Sequence, residues 1–133
     1  MKRIKIVAAI ILYEGKILCA QRGNGKYEYI SYKYEFPGGK VEDGESNISA
    51  LEREIFEELS LKIDVKNHFL TVNHDYPDFS IEMSSYYCSS ENQDLILHEH
   101  IDYKWLLPEN LLDLDWAKAD LPIVRKLIKD NHE

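Results

Sequence analysis

Cysteine is scarce in this chain. Two thiols, Cys19 and Cys88, stand among 133 residues, with neither the paired spacing of a disulfide framework nor the clustered spacing of a thiolate metal site. Both fall in β-rich runs and are expected as reduced core thiols, which implies a cytoplasmic location. Positive charge is in deficit too. Sixteen lysines and arginines face 24 aspartates and glutamates, giving a formal net charge of −8 and a pI near 5.1. That balance argues against binding nucleic-acid polymers through a basic groove. A membrane span is missing as well: the apolar run Ile6 to Leu12, closed off by Lys5 and by Tyr13-Glu14-Gly15-Lys16, is far too short to cross a bilayer and reads as a buried strand. With linkers, repeats and low-complexity tracts also absent, residues 1–133 are expected to form one domain.

What the chain does hold is acid, concentrated. Gly39 to Leu61 carries seven carboxylates around a single arginine. Ile48, Leu51, Ile55 and Leu59 recur there at helical spacing and give one apolar face to bury, with Ser46 as the expected N-cap. Glu54, Glu57 and Glu58 then fall three and four residues apart on another face. Carboxylates this dense repel one another unless water solvates them or a cation neutralises them. Such a helix also fits a plain solvated face. An oxygen-only ligand set suits a hard divalent ion, Mg²⁺ with Mn²⁺ as a possible substitute, and such ions accompany phosphate chemistry. A bound cation also explains how an acidic protein receives a polyanion.

Along the rest of the chain, Lys5 to Leu12 and Lys16 to Gln21 read as strands of a hairpin turning at Tyr13-Glu14-Gly15. Gly23 to Tyr34 is a tyrosine-rich loop expected to edge the substrate site. Tyr34 to Phe36 leads through Pro37 into a glycine turn. Apolar runs at Ile63 to Val65, His68 to Val72, Phe79 to Tyr87 and His100 to Leu106 follow, with Tyr76-Pro77-Asp78 as a turn. Leu111 to Trp116 connects to a last helix, Ile123 to Lys129, which Pro122 opens. Strands on both sides of a central helix with a second helix at the end predict an α/β fold, a mixed β-sheet sandwiched between helices.

The acidic segment resembles the Nudix box, G-x5-E-x7-R-E-U-x-E-E-x-G-U with U aliphatic, through Gly39, Glu45, Arg53, Glu54, Ile55, Glu57, Glu58 and Leu61. Ser60 alone departs, standing where the family has glycine. It is expected at a left-handed helix end, where it bears on stability rather than chemistry. Flanking segments extend the resemblance to the MutT branch and, within it, to the bacterial CTP pyrophosphohydrolase group: Val7 to Ile11, Gln21-Arg22, Glu35 to Val41, His98-Glu99-His100 and Ala119 to Pro122. The resemblance implies the Nudix α/β/α architecture and a metal site of Glu54, Glu57 and Glu58 with the carbonyl of Gly38 and, from a distant loop, Glu99. Glu45 and Arg53 are expected as supports, as is Gly39 of the box, because an arginine among glutamates holds them by paired hydrogen bonds. The general base is Glu54 in first place and Glu99 in second. Histidines 98 and 100 read as loop polarity rather than as zinc ligands.

Arg22 and Lys40 match basic positions of the MutT branch and are candidate phosphate clamps. Phe36 and Tyr76 match positions that meet the nucleobase, with Ile4, Ile6 and Ile81 as possible apolar walls. Asp120 reads either as a helix N-cap or as a base-reading group; where the guanine-oxidation branch has asparagine, an ionised aspartate only accepts, favouring cytosine N4 or adenine N6. The implied activity is Mg²⁺-dependent hydrolysis of a nucleoside triphosphate to monophosphate and pyrophosphate, with no nucleic-acid polymer or membrane as partner. Alternatives are hydrolysis of another nucleoside diphosphate derivative, such as ADP-ribose or a nucleotide sugar, or a non-catalytic nucleotide-sensing module. The sequence leaves the oligomeric state open.

Overall fold

The computed structural model describes residues 3–131. Its centre is strand β1, Ile4–Tyr13, whose residues Val7 to Ile11 are all buried. Alternation explains why both faces are apolar. Val7, Ala9 and Ile11 pack into a cluster with Leu51, Ile55 and Leu59 of helix α1 (Asn47–Leu59), whereas Ala8 and Ile10 pack with Ile123, Val124 and Leu127 of helix α2 (Leu121–Asn131). The result is the expected sheet between helices. Each fully buried leucine or isoleucine contributes about 1.5–3 kcal/mol by leaving water. The two cysteines fall in different clusters, Cys19 with α2 and Cys88 with α1; both are unpaired thiols, and burial pushes each up to about 12.

Seven strands form one mixed sheet among the described residues. Strand β2 (Lys16–Gln21) returns from β1 through Glu14 and Gly15, both at positive φ (51° and 79°), the two-residue hairpin turn expected there. Along one edge β2 pairs with β7 (Asp102–Leu106), and on the opposite edge, beyond its pairing with β1, with β3 (Tyr34–Glu35). On the other side β1 runs parallel to β6 (Ser80–Ser89), which pairs with β5 (Asp64–Asp75). Two sequence expectations change here. The runs at Ile63 to Val65 and His68 to Val72 merge into one strand, which begins at Asp64 and shifts register on either side of His68. The glycine turn is itself a strand, β4 (Gly38–Lys40), antiparallel to Ile6–Ala8 of β1.

Neither Gly38 nor Gly39 has positive φ, so the need for glycine is one of space. A Cβ on Gly38 would collide with the Val7 carbonyl oxygen and press on Ala8 Cα, and one on Gly39 would collide with the Glu54 carboxylate. Helix α1 follows from a cap in which Ser46 Oγ accepts from Ser49 N at 3.1 Å. Its buried stripe begins at Ala50 and Leu51, so Ile48, assigned above to the buried face, lies in the first turn outside the packed interface and is 47% exposed. Among the described residues no helix is long and apolar enough to cross a membrane.

Because the obstruction at Gly38 is backbone, no side-chain adjustment relieves it. Gly38→Ala is expected to destabilise the protein by about 1–3 kcal/mol or more in a urea titration; an unchanged midpoint would show that β4 can shift away from β1.

Candidate active site

Arg53 organises the carboxylates of α1 and of the loop before it. Its Nε and Nη2 donate to the two Glu45 oxygens at 2.7 and 2.9 Å, Nη1 donates to Glu54 at 2.8 Å and Glu57 at 3.3 Å, and Nη2 also reaches the Lys40 carbonyl at 3.2 Å. The Arg53 hydrogen bond holds the Glu45 carboxyl down to about 2. Arg53 and Glu45 stand outside the lining of the cavity that the other carboxylates face.

That cavity has a volume of about 720 Å³. Gly38, Gly39, Glu54, Glu57, Glu58 and Glu99 line one part of it. Glu58 is buried on the inner face of α1, and its Oε2 has no hydrogen-bond partner. Burial first, then the charges of Glu99, Glu54 and Glu35, push its carboxyl up to about 9. A buried oxygen without a partner among other carboxylates is what a hard cation satisfies, so this set fits a divalent metal. Among the described residues no three acidic, histidine or cysteine side chains already converge as a cage. Glu54 and Glu57 are turned toward Arg53, and closing a ligand set requires side-chain rotation, which the exposure of Glu57 and Glu99 permits.

Phe36, Tyr76 and Asp120 line another part of the cavity, with Ile6 and Ile81. Ile4, named above as a possible wall, is instead a partly buried residue packed on the α2-side core. Asp120 Oδ1 accepts from the Phe36 backbone N–H at 3.0 Å, a bond across the fold rather than into the first turn of α2. Burial and the nearby Glu35 charge push its carboxyl well above the usual range, so the neutral acid is favoured and the acceptor-only argument applies only when it ionises. Tyr76 accepts at its hydroxyl from Ala119 N at 3.0 Å and stacks on Tyr29 with ring centroids 5.5 Å apart. Tyr29 in turn donates to Asp78 at 2.9 Å and stacks on Tyr27. The tyrosine-rich loop is thereby clamped to the β5–β6 turn, and its residues Gly23 to Gly25 and Ile30 edge the cavity.

Arg22 and Lys40 also line the cavity, but Arg22 is paired with Glu35 at 3.2 Å. The other Glu35 oxygen meets His100 Nε2 at 2.9 Å, and the His100 side chain is only 5% exposed. Reading His100 as loop polarity is therefore corrected: it is a buried partner of Glu35. Glu35 itself escaped the sequence reading. It perturbs both Glu58 and Asp120, which puts it between the two parts of the cavity. Its signals were its place beside Phe36 and at the head of the Glu35 to Val41 resemblance, but strand alternation disguises a cavity residue there as an edge-strand acid.

The NUDIX domain family matches residues 2–127 of the chain. The CTP pyrophosphohydrolase of Escherichia coli K12 is 36% identical over 93% of the chain and 90% of its own length. The 8-oxo-dGTP diphosphatase of Buchnera aphidicola subsp. Schizaphis graminum is 29% identical over 97% of the chain and 96% of its own length. Among solved structures, the MutT protein of methicillin-resistant Staphylococcus aureus 252, a Nudix hydrolase, has a TM-score of 0.75 and 37% identity, covering 97% of this chain and 98% of that one.

Glu58 also makes a pH prediction for the metal-free protein. Its folded pKa lies above its unfolded value of 4.5, so the stability it contributes is complete below that value and is lost as pH rises toward about 9. In EDTA the melting temperature is expected to fall between about pH 5 and about pH 9, and Glu58→Gln should flatten that fall and melt higher than the parent at the alkaline end. Coincident curves for the two proteins would contradict this.

Proposed function

The chain belongs to the Nudix family, and from that premise we propose that it is a nucleoside-triphosphate pyrophosphohydrolase, cleaving a triphosphate to a monophosphate and pyrophosphate with Mg²⁺, or Mn²⁺ in its place. The observation that carries the reading is one cavity shared by the four carboxylates of the candidate metal site and by an aromatic and hydrogen-bonding set suited to a base. When bound, the cation supplies charge neutralisation at the phosphoryl oxygens and acidifies the attacking water. The Gly38 carbonyl, Glu54, Glu57, Glu58 and Glu99 are the residues that would hold it.

Glu54 takes the proton from the attacking water, with Glu99 as the second candidate. Arg53 and Glu45 keep Glu54 and Glu57 in place between turnovers. Lys40 and Arg22 draw in the phosphates, Arg22 by exchanging part of its pairing with Glu35. Phe36 and Tyr76 flank the base, and Asp120 reads its edge with the oxygen not occupied by the Phe36 N–H. The reduced thiols support a cytoplasmic setting, and a small nucleotide is the partner.

Relatives named for CTP and for 8-oxo-dGTP supply the two base classes. We place cytosine nucleotides first, following the 36% identity to the relative named for CTP, with Asp120 ionising against the base to accept from its exocyclic amine, and oxidised guanine nucleotides second.

Glu57→Gln and Glu58→Gln are each expected to lower kcat by orders of magnitude at saturating Mg²⁺, and Glu45→Gln clearly less. Near-normal turnover in either of the first two removes the metal assignment. Separately, Asp120→Asn should lower kcat/KM for CTP and dCTP relative to 8-oxo-dGTP; an unchanged ranking over these substrates leaves Asp120 as a brace for Phe36 alone.

A further inference from the structure

Ser60, the position that departs from the family pattern, touches the loop carrying Glu99. Helix α1 ends with Ser60 in the left-handed region, φ 53° and ψ 36°, its N–H donating to Phe56 O at 3.0 Å. The last carbonyls of a helix have no partner within it. Here the loop supplies them: Ile96 N donates to Leu59 O at 2.9 Å and His98 N to Glu58 O at 3.1 Å. Ser60 Oγ adds a side-chain bond to His98 Nε2 at 2.8 Å. One residue further, Glu99 lines the cavity, and beyond it His100 is fixed by Glu35 and Ile101 N by the Gln21 carbonyl at 3.0 Å. Glu99 thus sits between two tethered histidines, one tied to the helix that carries Glu58 and one tied to β3.

From this geometry we propose that Ser60 and His98 form a latch that holds the Glu99 loop against the end of α1, making Ser60 a positioning residue for the cation site. Glycine at this position relieves backbone strain but has no hydroxyl, so it cannot make the bond. The proposal rests on the reading of Glu99 as a ligand, and it revises the expectation that Ser60 affects stability alone. The effect should match one hydrogen bond in size.

The test compares Ser60→Gly, Ser60→Asn, His98→Ala and Glu99→Gln. Two quantities are followed: amide hydrogen exchange at residues 96–101, and Mn²⁺ binding to the nucleotide-free protein alongside the Mg²⁺ dependence of turnover. Ser60→Gly and His98→Ala should speed exchange at Ile96 and His98 and weaken cation binding by about three- to tenfold, with KM for nucleotide unchanged at saturating Mg²⁺. Ser60→Asn should restore both quantities, since asparagine accepts the left-handed conformation and offers a hydrogen-bonding side chain. In a Glu99→Gln background, Ser60→Gly should add no further loss of cation affinity. Parent-like exchange and cation affinity in Ser60→Gly and His98→Ala, while Glu99→Gln weakens binding, overturn the latch. If Glu99→Gln binds Mn²⁺ like the parent, the ligand reading beneath the proposal fails instead.

Discussion

Repulsion between carboxylates gathered at one cavity wall is the constraint on which the rest of this structure turns. Glu54, Glu57, Glu58 and Glu99 face one space, and without compensation their charges would drive the wall apart. Three devices limit the cost. Arg53 shares its guanidinium among Glu45, Glu54 and Glu57. Glu58 is buried and favours its neutral form. Glu99 comes from a separate loop, tied down through the carbonyls of the helix end rather than through its own carboxylate. The arrangement suits a cation, which when bound would remove the repulsion and favour the charged form of Glu58.

The sheet makes this possible by being buried on both faces. Alternation along β1 sends Val7, Ala9 and Ile11 to α1 and Ala8 and Ile10 to α2, so the acidic helix is anchored by its own apolar stripe while Glu54, Glu57 and the buried Glu58 stay at the cavity. Gly38 lets β4 lie close on β1, and Gly39 leaves room for the Glu54 side chain. Two adjacent glycines therefore serve different neighbours, one the backbone of the sheet and the other a carboxylate of the helix.

What the sequence made legible was local. The hairpin at Glu14-Gly15, the Ser46 cap and the left-handed Ser60 each depend on a few consecutive residues and stand in the fold as read, whereas Glu58, read with Glu54 and Glu57 on a face apart from the apolar one, lies in the buried stripe of α1. Ile48 misled because periodicity does not say where along a helix the packed interface begins. What stayed hidden was contact across the chain. Glu35 to His100 spans 65 residues and Asp120 to Phe36 spans 84. Neither pair has a sequence spacing that would announce it, and polar alternation in a short edge strand gave Glu35 an ordinary disguise. The Tyr29–Tyr76 stack, which fixes the tyrosine loop, is hidden in the same way.

The central claim is that the acidic wall and the base-binding part of one cavity act together on a triphosphate. Its most direct test is phosphorus NMR of CTP incubated with the protein, with Mg²⁺ and then with EDTA. The account predicts CMP and pyrophosphate in the presence of the cation and no turnover in EDTA; CDP with orthophosphate, or turnover that persists in EDTA, would contradict it.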